Sequence, residues 1–334
     1  MPCVDKGVLH GKGLRFIPSE PETDNSGAGI VTLFTRLSCI SVSANELFNR
    51  SLSRIIMKRY IPVLSIAGSD CSGGAGIQAD IKTISAIGCY AMTAITAITV
   101  QNTTGVTAVG EVTPEIVEAQ IEAVWSDIPP LAVKTGMLFN RRVVEAVGRS
   151  LERHKPPCLV VDPVSVSTSG SLLLQRDAID VLVERILPLS LIVTPNVREA
   201  RELTGETEPD LQAVRLREMG CRNILLKGGD ADTPGVKIDL LYLEGASEPI
   251  GFKADEVATR NTHGTGCTMS SAIACYLALG MPVDEAVGRA KLFITRALQA
   301  GARVSIGHGH GPVNHLFGPR HMKFDLSHPN HNRK

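Results

Sequence analysis

The sequence predicts an α/β protein with a mostly parallel central sheet that is sandwiched between helices. Short apolar runs of strand length alternate along the chain with amphipathic stretches of helical length, which is the pattern of βαβ units. The runs are apolar almost throughout, as expected for strands that are covered on both faces. Polar residues follow directly after several of them, and parallel sheets bind their ligands beyond these carboxyl ends. We therefore expect the functional site at that edge of the sheet.

Seven apolar runs are predicted to be strands, and the stretches between them supply the helices. The strands are expected at 62–67, 93–100, 131–135, 158–162, 190–194, 222–227 and 238–243. Residues 114–125 and 141–153 repeat apolar residues at the spacing of one helix face. A further helical run at 272–279 stops at Gly280-Met281-Pro282.

Composition excludes several classes of protein. With 334 residues, 43% of them hydrophobic and 20% charged, the chain can bury a sizeable core. Lys+Arg and Asp+Glu both number 34, so no basic excess favours a nucleic-acid partner. No apolar run reaches the length of about 18 residues that a membrane helix needs, and the first residues lack the layout of a secretory signal. The eight cysteines show no zinc-ligand spacing. We expect a cytoplasmic enzyme without a membrane or nucleic-acid partner.

Residues 1–56 differ from the rest of the chain. They show no sustained period, and the pattern changes abruptly at Met57. We expect an extension outside the domain, either disordered or upstream of a true start at Met57. A targeting leader is the remaining alternative, against which the acidic residues before position 25 count. The folded domain is expected at 57–320, followed by a histidine-rich tail at 321–334.

Histidines are concentrated near the C-terminus. Six of the nine are His308, His310, His315, His321, His328 and His331. The stretch Gly307-His-Gly-His-Gly-Pro-Val-Asn-His315 is compatible with metal binding. We favour a turn-rich closing segment.

The string Asn261-Thr-His-Gly-Thr-Gly-Cys-Thr-Met-Ser-Ser271 precedes a helical run. Two glycines ahead of a helix let backbone N–H groups converge, and the helix N-terminus adds about half a positive charge. We expect an anion hole for a transferring phosphoryl group, formed by Gly264, Thr265, Gly266 and Cys267. The same dipole should lower the pKa of the Cys267 thiol. A tight turn into a core helix explains the string equally well. A Walker A loop, G-x-x-x-x-G-K-[ST], is absent from the sequence, which excludes the P-loop class.

Two further motifs follow predicted strands. Ala67 to Asp80 form a glycine-rich passage into a helix, where the backbone can approach a ring-sized ligand and Asp80 can hydrogen-bond its polar edge. Leu225-Leu-Lys227-Gly-Gly229 ends a strand with a lysine suited to a nucleotide phosphate. Each motif taken alone is also typical of an ordinary turn.

Asp162 and Glu199 both follow apolar strands. A carboxylate is costly there unless it is paired or binds a cation. Magnesium bound to nucleotide phosphates usually takes one or two carboxylates and keeps several waters. We predict a magnesium site on these two residues, direct or through water. The alternatives are a helix cap for Asp162 and a solvated helix residue for Glu199.

Together these motifs resemble the ribokinase-like superfamily, and within it the hydroxymethylpyrimidine/phosphomethylpyrimidine kinases. The resemblance runs in order from about Met57 to about Phe317. Residues 66–83 are similar to the family's opening signature almost without a break, and Thr194-Pro-Asn-Val-Arg-Glu199 to the superfamily's Asn-x-x-Glu element. Cys267 stands where sugar kinases usually have aspartate, and this cysteine discriminates between the two groups.

The resemblance implies roles for single residues. Val100-Gln101-Asn-Thr matches a hairpin whose glutamine hydrogen-bonds the pyrimidine, and Lys134-Thr-Gly-Met137 a stretch whose methionine packs on the ring. The substrate is expected to contact Gly68, Asp80, Gln101, Met137 and Val164. ATP and magnesium are expected to contact Asp162, Asn196, Glu199 and Lys227, with the metal at Asp162 and Glu199. The catalytic residues are expected to be Cys267, as the base, and Gly264, Thr265 and Gly266.

The same resemblance implies a ribokinase-like fold with a small flap, a homodimer, and two successive reactions with Mg²⁺ and ATP in thiamine biosynthesis. The alcohol 4-amino-5-hydroxymethyl-2-methylpyrimidine is converted to its monophosphate and then to its diphosphate. A pyridoxal/pyridoxine kinase is the nearest alternative, and Gln101 and Met137 favour the pyrimidine because a hydrogen bond to the ring edge discriminates strongly. A non-catalytic pyrimidine sensor is the alternative from another class. It would not require Asp162, Glu199, Lys227 and Cys267 together.

Overall fold

The computed structural model of the chain describes residues 15–16, 58–164, 174–230 and 235–325. The predicted extension at 1–56 lies outside these residues except for Arg15 and Phe16. Met57 and the part of the predicted tail beyond Asp325 also lie outside them.

Ten of the described strands form one sheet. In chain order the strands are β1 (Arg15–Phe16), β2 (Arg59–Tyr60), β3 (Pro62–Asp70), β4 (Tyr90–Asn102), β5 (Gly105–Glu111), β6 (Ala132–Thr135), β7 (Leu159–Val161), β8 (Ile192–Val193), β9 (Asn223–Asp230), β10 (Val236–Tyr242), β11 (Ile250–Asp255) and β12 (Phe324–Asp325). The large sheet has the order β1-β11-β10-β9-β8-β7-β6-β3-β4-β5, and β2 pairs with β12 in a separate small sheet.

The centre of the large sheet is parallel. Strands β4, β3, β6, β7, β8 and β9 pair in parallel, whereas β5 and β10 run antiparallel to their neighbours. All seven predicted strands are present, with ends that differ by a few residues. Strands β1, β2, β5, β11 and β12 were not predicted. Residues of β5 are mostly exposed or half-buried, so this strand lacks the apolar run by which buried strands are recognised.

Helices cover both faces of this sheet. They are α1 (Gly76–Ile87), α2 (Pro114–Asp127), α3 (Arg141–His154), α4 (Arg176–Val181), α5 (Val197–Thr204), α6 (Pro209–Glu218), α7 (Thr265–Ala278) and α8 (Val283–Gly301). Side chains of α1, α7 and α8 form one core with the sheet, and side chains of α2 to α6 form the other. The predicted fold class, a mostly parallel sheet sandwiched between helices, is confirmed. Within the described residues, no helix has both the length and the apolar character to cross a bilayer.

Local sequence sets where the predicted helices begin. Thr113 caps α2 by accepting a hydrogen bond from Ile116 N, with Pro114 at the first helical position. Asn140 caps α3 through Val143 N in the same way. The observed starts at 114 and 141 therefore agree with the predicted ones.

The small sheet ties the two ends of the described domain together. Phe324 pairs with Tyr60 in the β2–β12 register, and the Tyr60 ring lies 5.3 Å from the rings of both Phe324 and Tyr90. Lys323 N also donates to Gly88 O at 2.8 Å. The predicted boundary between domain and tail at 320/321 therefore falls inside a paired segment.

The β4–β5 hairpin turns at Thr103 and Thr104, and we call residues 100–107 the flap. Asn102 Oδ1 accepts hydrogen bonds from Thr104 N at 2.9 Å and Thr104 Oγ1 at 2.6 Å. These local bonds shape the turn. The flap stands at the end of the sheet where β3 and β4 end together.

Candidate active site

A cavity of about 270 Å³ opens at the carboxyl ends of the parallel strands. Ligand sites of parallel sheets lie at this edge. The predicted site residues that line it are Gly68, Gln101, Met137, Asp162, Val164, Asn196, Glu199, Lys227, Gly264, Thr265, Gly266 and Cys267. Asp80 is absent from the lining.

The predicted anion hole lies at the first turn of α7. Gly264 has φ of 80° and occupies the N-cap position, and Thr265 Oγ1 donates to Thr262 O at 2.6 Å. A Cβ atom at position 264 would collide with the carbonyl oxygen of Gly74 in the glycine-rich loop. The two loops therefore cross in direct backbone contact. Thr265, Gly266 and Cys267 of the first turn line the cavity, and Thr265 N donates to Thr262 O at 3.3 Å.

Cys267 lies beside these amides, but its thiol is not acidic. Burial raises the pKa of Cys267 to about 11, and the charges of Asp80 and Asp162 act in the same direction. The charge of Lys134 and a backbone hydrogen bond from Gly76 oppose the rise without cancelling it. The expectation of a lowered pKa for this thiol is therefore wrong, because burial outweighs the effect of the helix N-terminus. The group is a thiol at neutral pH.

Asp162 and Lys227 form an ion pair at one end of the cavity, with 2.8 Å between Lys227 Nζ and Asp162 Oδ1. Burial alone would raise the pKa of Asp162, yet the charges of Lys227 and Lys134 lower it. Burial alone would lower the pKa of Lys227, yet the charges of Asp162 and Glu199 raise it. Both groups are thus held in their charged forms next to the cavity.

Glu199 and Asn196 form a capping box at the start of α5. Glu199 N donates to Asn196 Oδ1 and Asn196 N donates to Glu199 Oε2, each at 2.8 Å. Burial raises the pKa of Glu199 to about 7 although the charge of Lys227 opposes the rise, and the negative charge of Asp162 adds to it. A helix cap was the alternative role for Asp162. In the structure, Asn196 and Glu199 form the helix cap instead.

This donor set fits magnesium. Two carboxyl groups, Asp162 and Glu199, border the same cavity, and Lys227 supplies the nearby positive charge. Burial raises the pKa of Glu199 more than the charge of Lys227 lowers it, so a cation bound beside this carboxyl would favour its charged form. Oxygen ligands of this kind are those that magnesium takes when it bridges phosphates.

The other end of the cavity is suited to a flat ring. A Cβ atom on Gly68 would lie 3.0 Å from Met137 Sδ, so the absence of a side chain there leaves the methionine room. Thr96 Oγ1 holds the Met137 backbone by donating to its carbonyl oxygen at 2.6 Å. Gln101 stands at the flap with its amide 3.1 Å from Thr99 Oγ1.

Asp80 lies in the core rather than in the cavity. Its two carboxylate oxygens are 3.0 and 2.9 Å from Lys134 Nζ. Ser65 Oγ and Ser271 Oγ donate to it as well, and both charged side chains have 0% exposure. The predicted contact of Asp80 with a ligand is therefore corrected to a structural role. Asp80 does not line the cavity, and both of its carboxylate oxygens accept hydrogen bonds from core residues. In α1, Asp80 occupies the buried face of Ile77, Ile84 and Ile87, a helical spacing that could have revealed it.

Asp70 and His263 were missed as a pair. Asp70 Oδ2 lies 2.8 Å from His263 Nε2, although the residues are 193 positions apart. Burial by itself would raise the pKa of Asp70, but hydrogen bonds from His263, Ser72 and Ala75 hold it well below its usual range. The glycine-rich loop thus wraps around a permanent carboxylate. No short-range pattern connects the two residues.

The family profile described as "Phosphomethylpyrimidine kinase" matches residues 70–314. The chain is similar to a hydroxymethylpyrimidine/phosphomethylpyrimidine kinase of Rhizobium meliloti, with 48% identity over 259 residues, 76% of this chain and 96% of the relative. It is also 45% identical over 266 residues to the thiamine biosynthesis bifunctional protein ThiED of Geobacter sulfurreducens. That match covers 78% of this chain but 53% of the relative, so the chain spans about half the length of this bifunctional protein.

Solved structures of kinases are also similar to this chain. A phosphomethylpyrimidine kinase from Clostridium difficile 630 superposes with a TM-score of 0.63 at 44% identity, covering 71% of this chain and 99% of that one. A pyridoxal kinase from Staphylococcus aureus in complex with pyridoxal has a TM-score of 0.70 at 33% identity, covering 80% and 98%.

Proposed function

The chain belongs to the phosphomethylpyrimidine kinase family, and from this premise we propose that it phosphorylates 4-amino-5-hydroxymethyl-2-methylpyrimidine and then its monophosphate, using Mg²⁺ and ATP, in thiamine biosynthesis. One observation carries the proposal. A single cavity holds a ring-sized end at Gly68, Gln101 and Met137 and a charged end at Asp162 and Lys227. Gly264 to Cys267 line the same cavity.

In each step a nucleophilic oxygen forms a bond to the γ-phosphorus of ATP while the bond to the bridging oxygen breaks and ADP leaves. Gln101 orients the ring through its amide, and Met137 and Val164 pack against it. The amides at the start of α7 receive charge that develops on the phosphoryl oxygens, and Lys227 neutralises part of it. Asp162 and Glu199 would hold magnesium, which would supply further neutralisation of phosphate charge. Positioning and charge neutralisation supply most of the acceleration.

The two steps differ in their need for a base. The hydroxymethyl group must lose a proton in the first step, and we keep Cys267 as the proposed acceptor, acting in its thiolate form. At neutral pH a thiol of pKa about 11 is ionised to a fraction of about 10⁻⁴. The first step should therefore accelerate as the pH rises. In the second step the nucleophile is a phosphate oxygen, which is already largely ionised.

Pyridoxal phosphorylation is the competing function, and the similarity to pyridoxal kinases supports considering it. Both substrates present a hydroxymethyl group on a six-membered ring. Gln101 favours the pyrimidine, since a poorly matched substrate would forgo the hydrogen bond from its ring edge to this half-buried amide. A non-catalytic sensor is disfavoured, because a pure binder has no use for the charged end of the cavity.

Product analysis tests the proposal. The chain is incubated with ATP, magnesium and the pyrimidine alcohol, and with pyridoxal in a parallel and a competing reaction. We expect the mono- and diphosphate of the pyrimidine by mass. Phosphorylated pyridoxal alone would establish the competing function, and no product from either compound would contradict kinase activity on both.

We also propose that the enzyme is a cytoplasmic homodimer. Ile98 and Val100 lie on one face of β4 and are 45% and 56% exposed, an apolar patch that a second copy could cover. Sedimentation should show a dimer that Val100→Asp dissociates and Leu211→Asp, a comparably exposed site on α6, does not. A monomeric wild-type chain would contradict this assembly.

A further inference from the structure

The histidine-rich motif forms a loop that touches the flap. We call Gly307 to Pro312 the closing loop; the reaction proposed above does not use it. His310 N donates to Thr103 O at 2.8 Å, and Gly309 N donates to Thr103 Oγ1 at 3.2 Å. Both donors are backbone groups. The loop therefore holds the tip of the flap through its main chain.

Close approach at the flap tip requires a residue without a side chain. Gly307 has φ of 64°, and a Cβ atom built there would collide with Thr103 Oγ1 and lie 2.8 Å from Thr103 Cγ2. The obstacle is thus a side chain, which a substitution at position 103 can remove. This feature allows a direct test.

The other end of the closing loop is fixed at the anion-hole string. His263 N donates to Gly311 O at 3.0 Å. Asn261 Nδ2 donates to Gly301 O and to Val304 O, each at 2.7 Å, which anchors the same string to the end of α8. The loop therefore spans from the flap tip to the residues that precede Gly264.

A third contact links the anion-hole string back to the flap through His263. The Nε2 atom of His263 lies 2.8 Å from Asp70 Oδ2 and 3.1 Å from Gln101 Nε2. His263 is 7% exposed, so its position is set by packing as well as by these bonds. His263 Nε2 donates its hydrogen to Asp70 Oδ2 and only contacts Gln101, so the closing loop holds the flap through Thr103.

We propose that the closing loop is a positioning element for the ring-binding flap. It holds Thr103 so that the amide of Gln101 stays in register with the anion hole, which sets the distance between the bound ring and the transferred phosphoryl group. The loop acts through its backbone. The inference rests on the proposed function, which supplies the substrate whose affinity is measured.

The test compares Gly307→Ala with Gly245→Ala. Gly245 has a similar positive φ of 76°, is exposed, and has no atom within 4 Å of a built Cβ, so its variant reports backbone strain alone. We expect Gly307→Ala to raise KM for the pyrimidine alcohol about tenfold and to leave KM for ATP unchanged. Gly245→Ala should change neither constant.

A second substitution separates steric contact from general destabilisation. Thr103→Ala removes the two atoms closest to the new methyl group but also the acceptor of Gly309 N, so the double variant Gly307→Ala/Thr103→Ala should recover the affinity of Thr103→Ala alone. The flap amides of residues 102–106 should exchange hydrogen faster in Gly307→Ala and return toward the wild-type rate in the double variant.

The outcomes distinguish the two proposals. A wild-type chain that does not phosphorylate the pyrimidine overturns the proposed function, while hydrogen exchange still decides whether the loop holds the flap. The positioning role is overturned if Gly307→Ala exchanges like Gly245→Ala, if both KM values rise together, or if the double variant shows no recovery.

Discussion

Two opposing effects act on the thiol of Cys267. The helix N-terminus favours the thiolate, whereas removal from water and two nearby carboxylates favour the thiol and raise the pKa to about 11. Burial is the largest contribution. A helix terminus stabilises charge by about 0.3–1 kcal/mol at exposed sites, which is too little to offset desolvation of a buried anion.

Cys267→Ala should slow alcohol phosphorylation by about 10²–10⁴-fold and monophosphate phosphorylation far less, because only the first nucleophile must lose a proton. Cys267→Asp should restore part of the first activity. In the wild-type chain the first step should quicken about tenfold per pH unit between about pH 7 and 9, since the thiolate fraction rises with pH below the pKa.

Initial rates of each step, with each substrate supplied separately at saturating ATP and magnesium, measure these effects. Cys275→Ala, in the buried part of the same helix, is the matched control. Equal losses in both steps, or a first step that is flat with pH, would rule out the base assignment.

Gln101→Leu should weaken binding of the pyrimidine by about 1–3 kcal/mol through the unsatisfied partner, while nucleotide affinity stays unchanged. Titration calorimetry with the pyrimidine alcohol and with ADP measures both. Val109, on the neighbouring strand and outside the cavity, offers a control as Val109→Leu. Equal losses for both ligands would indicate a folding defect.

Helix α1 is joined to the rest of the domain by a buried charge. Asp80 accepts hydrogen bonds from Lys134 of β6 and from Ser271 of α7. Burial alone would lower the pKa of Lys134, but Asp80 raises it above its usual range, so the lysine remains charged. An ion pair of this kind is costly to break, because one buried charge is left without compensation.

Asp80→Ala should therefore lower the free energy of unfolding by about 3–5 kcal/mol. The double variant Asp80→Leu/Lys134→Met should lose less than the two single changes add up to, since no lone charge remains. Urea denaturation measures both. A stable Asp80→Ala chain that has lost only pyrimidine binding would instead assign Asp80 to the ligand.

Helix α5 places its capping carboxyl at the cavity. The pKa of Glu199 is raised from 4.5 to about 7. Between these two pH values the folded chain keeps a proton that the unfolded chain releases, so this contribution to stability is present below about pH 4.5 and is lost as the pH rises through 7.

The magnesium site proposed at Glu199 needs the carboxylate, so affinity for magnesium with ADP should fall by up to about tenfold per pH unit as the pH drops below 7. Glu199→Gln keeps the capping box but should remove this pH dependence. Calorimetry at pH 6 and 8 measures it, with Glu202→Gln, on the outer side of α5, as the control. The same slope in Glu199→Gln would contradict the assignment.

At the scale of the whole molecule, the sheet brings distant residues to one edge. The central strand order β9-β8-β7-β6-β3-β4 is reached through helical crossovers, and each strand delivers its following loop to the same cavity. At one edge of the sheet the pairing is short, because β1 pairs with β11 over two residues only, opposite Ile250 and Gly251.

A chain that begins at Met57 should fold and turn over substrate like the full chain, because the extension contributes only the two-residue pairing of β1 among the described contacts. Soluble yield, thermal unfolding and activity measure this. A tenfold loss of activity, or loss of soluble protein, would show that the extension supports the sheet edge at β11.

The sequence by itself determined the fold class and the location of the site. Apolar runs and helical spacing depend on neighbours only a few positions away, so the alternation of β and α elements, and the polar residues after the strands, can be read directly. Asp162, Glu199, Lys227 and the anion-hole string were predicted in this way, and the structure brings them to one cavity.

Only the tertiary structure decided the environment of each side chain. Asp80 meets Lys134 54 positions away, and Asp70 meets His263 across 193. The pKa of Cys267 is set by burial and by charges from other elements, which outweigh the local dipole. Desolvation and charge pairing depend on distance in space, and a local pattern carries no information about residues that come together only when the sheet has formed.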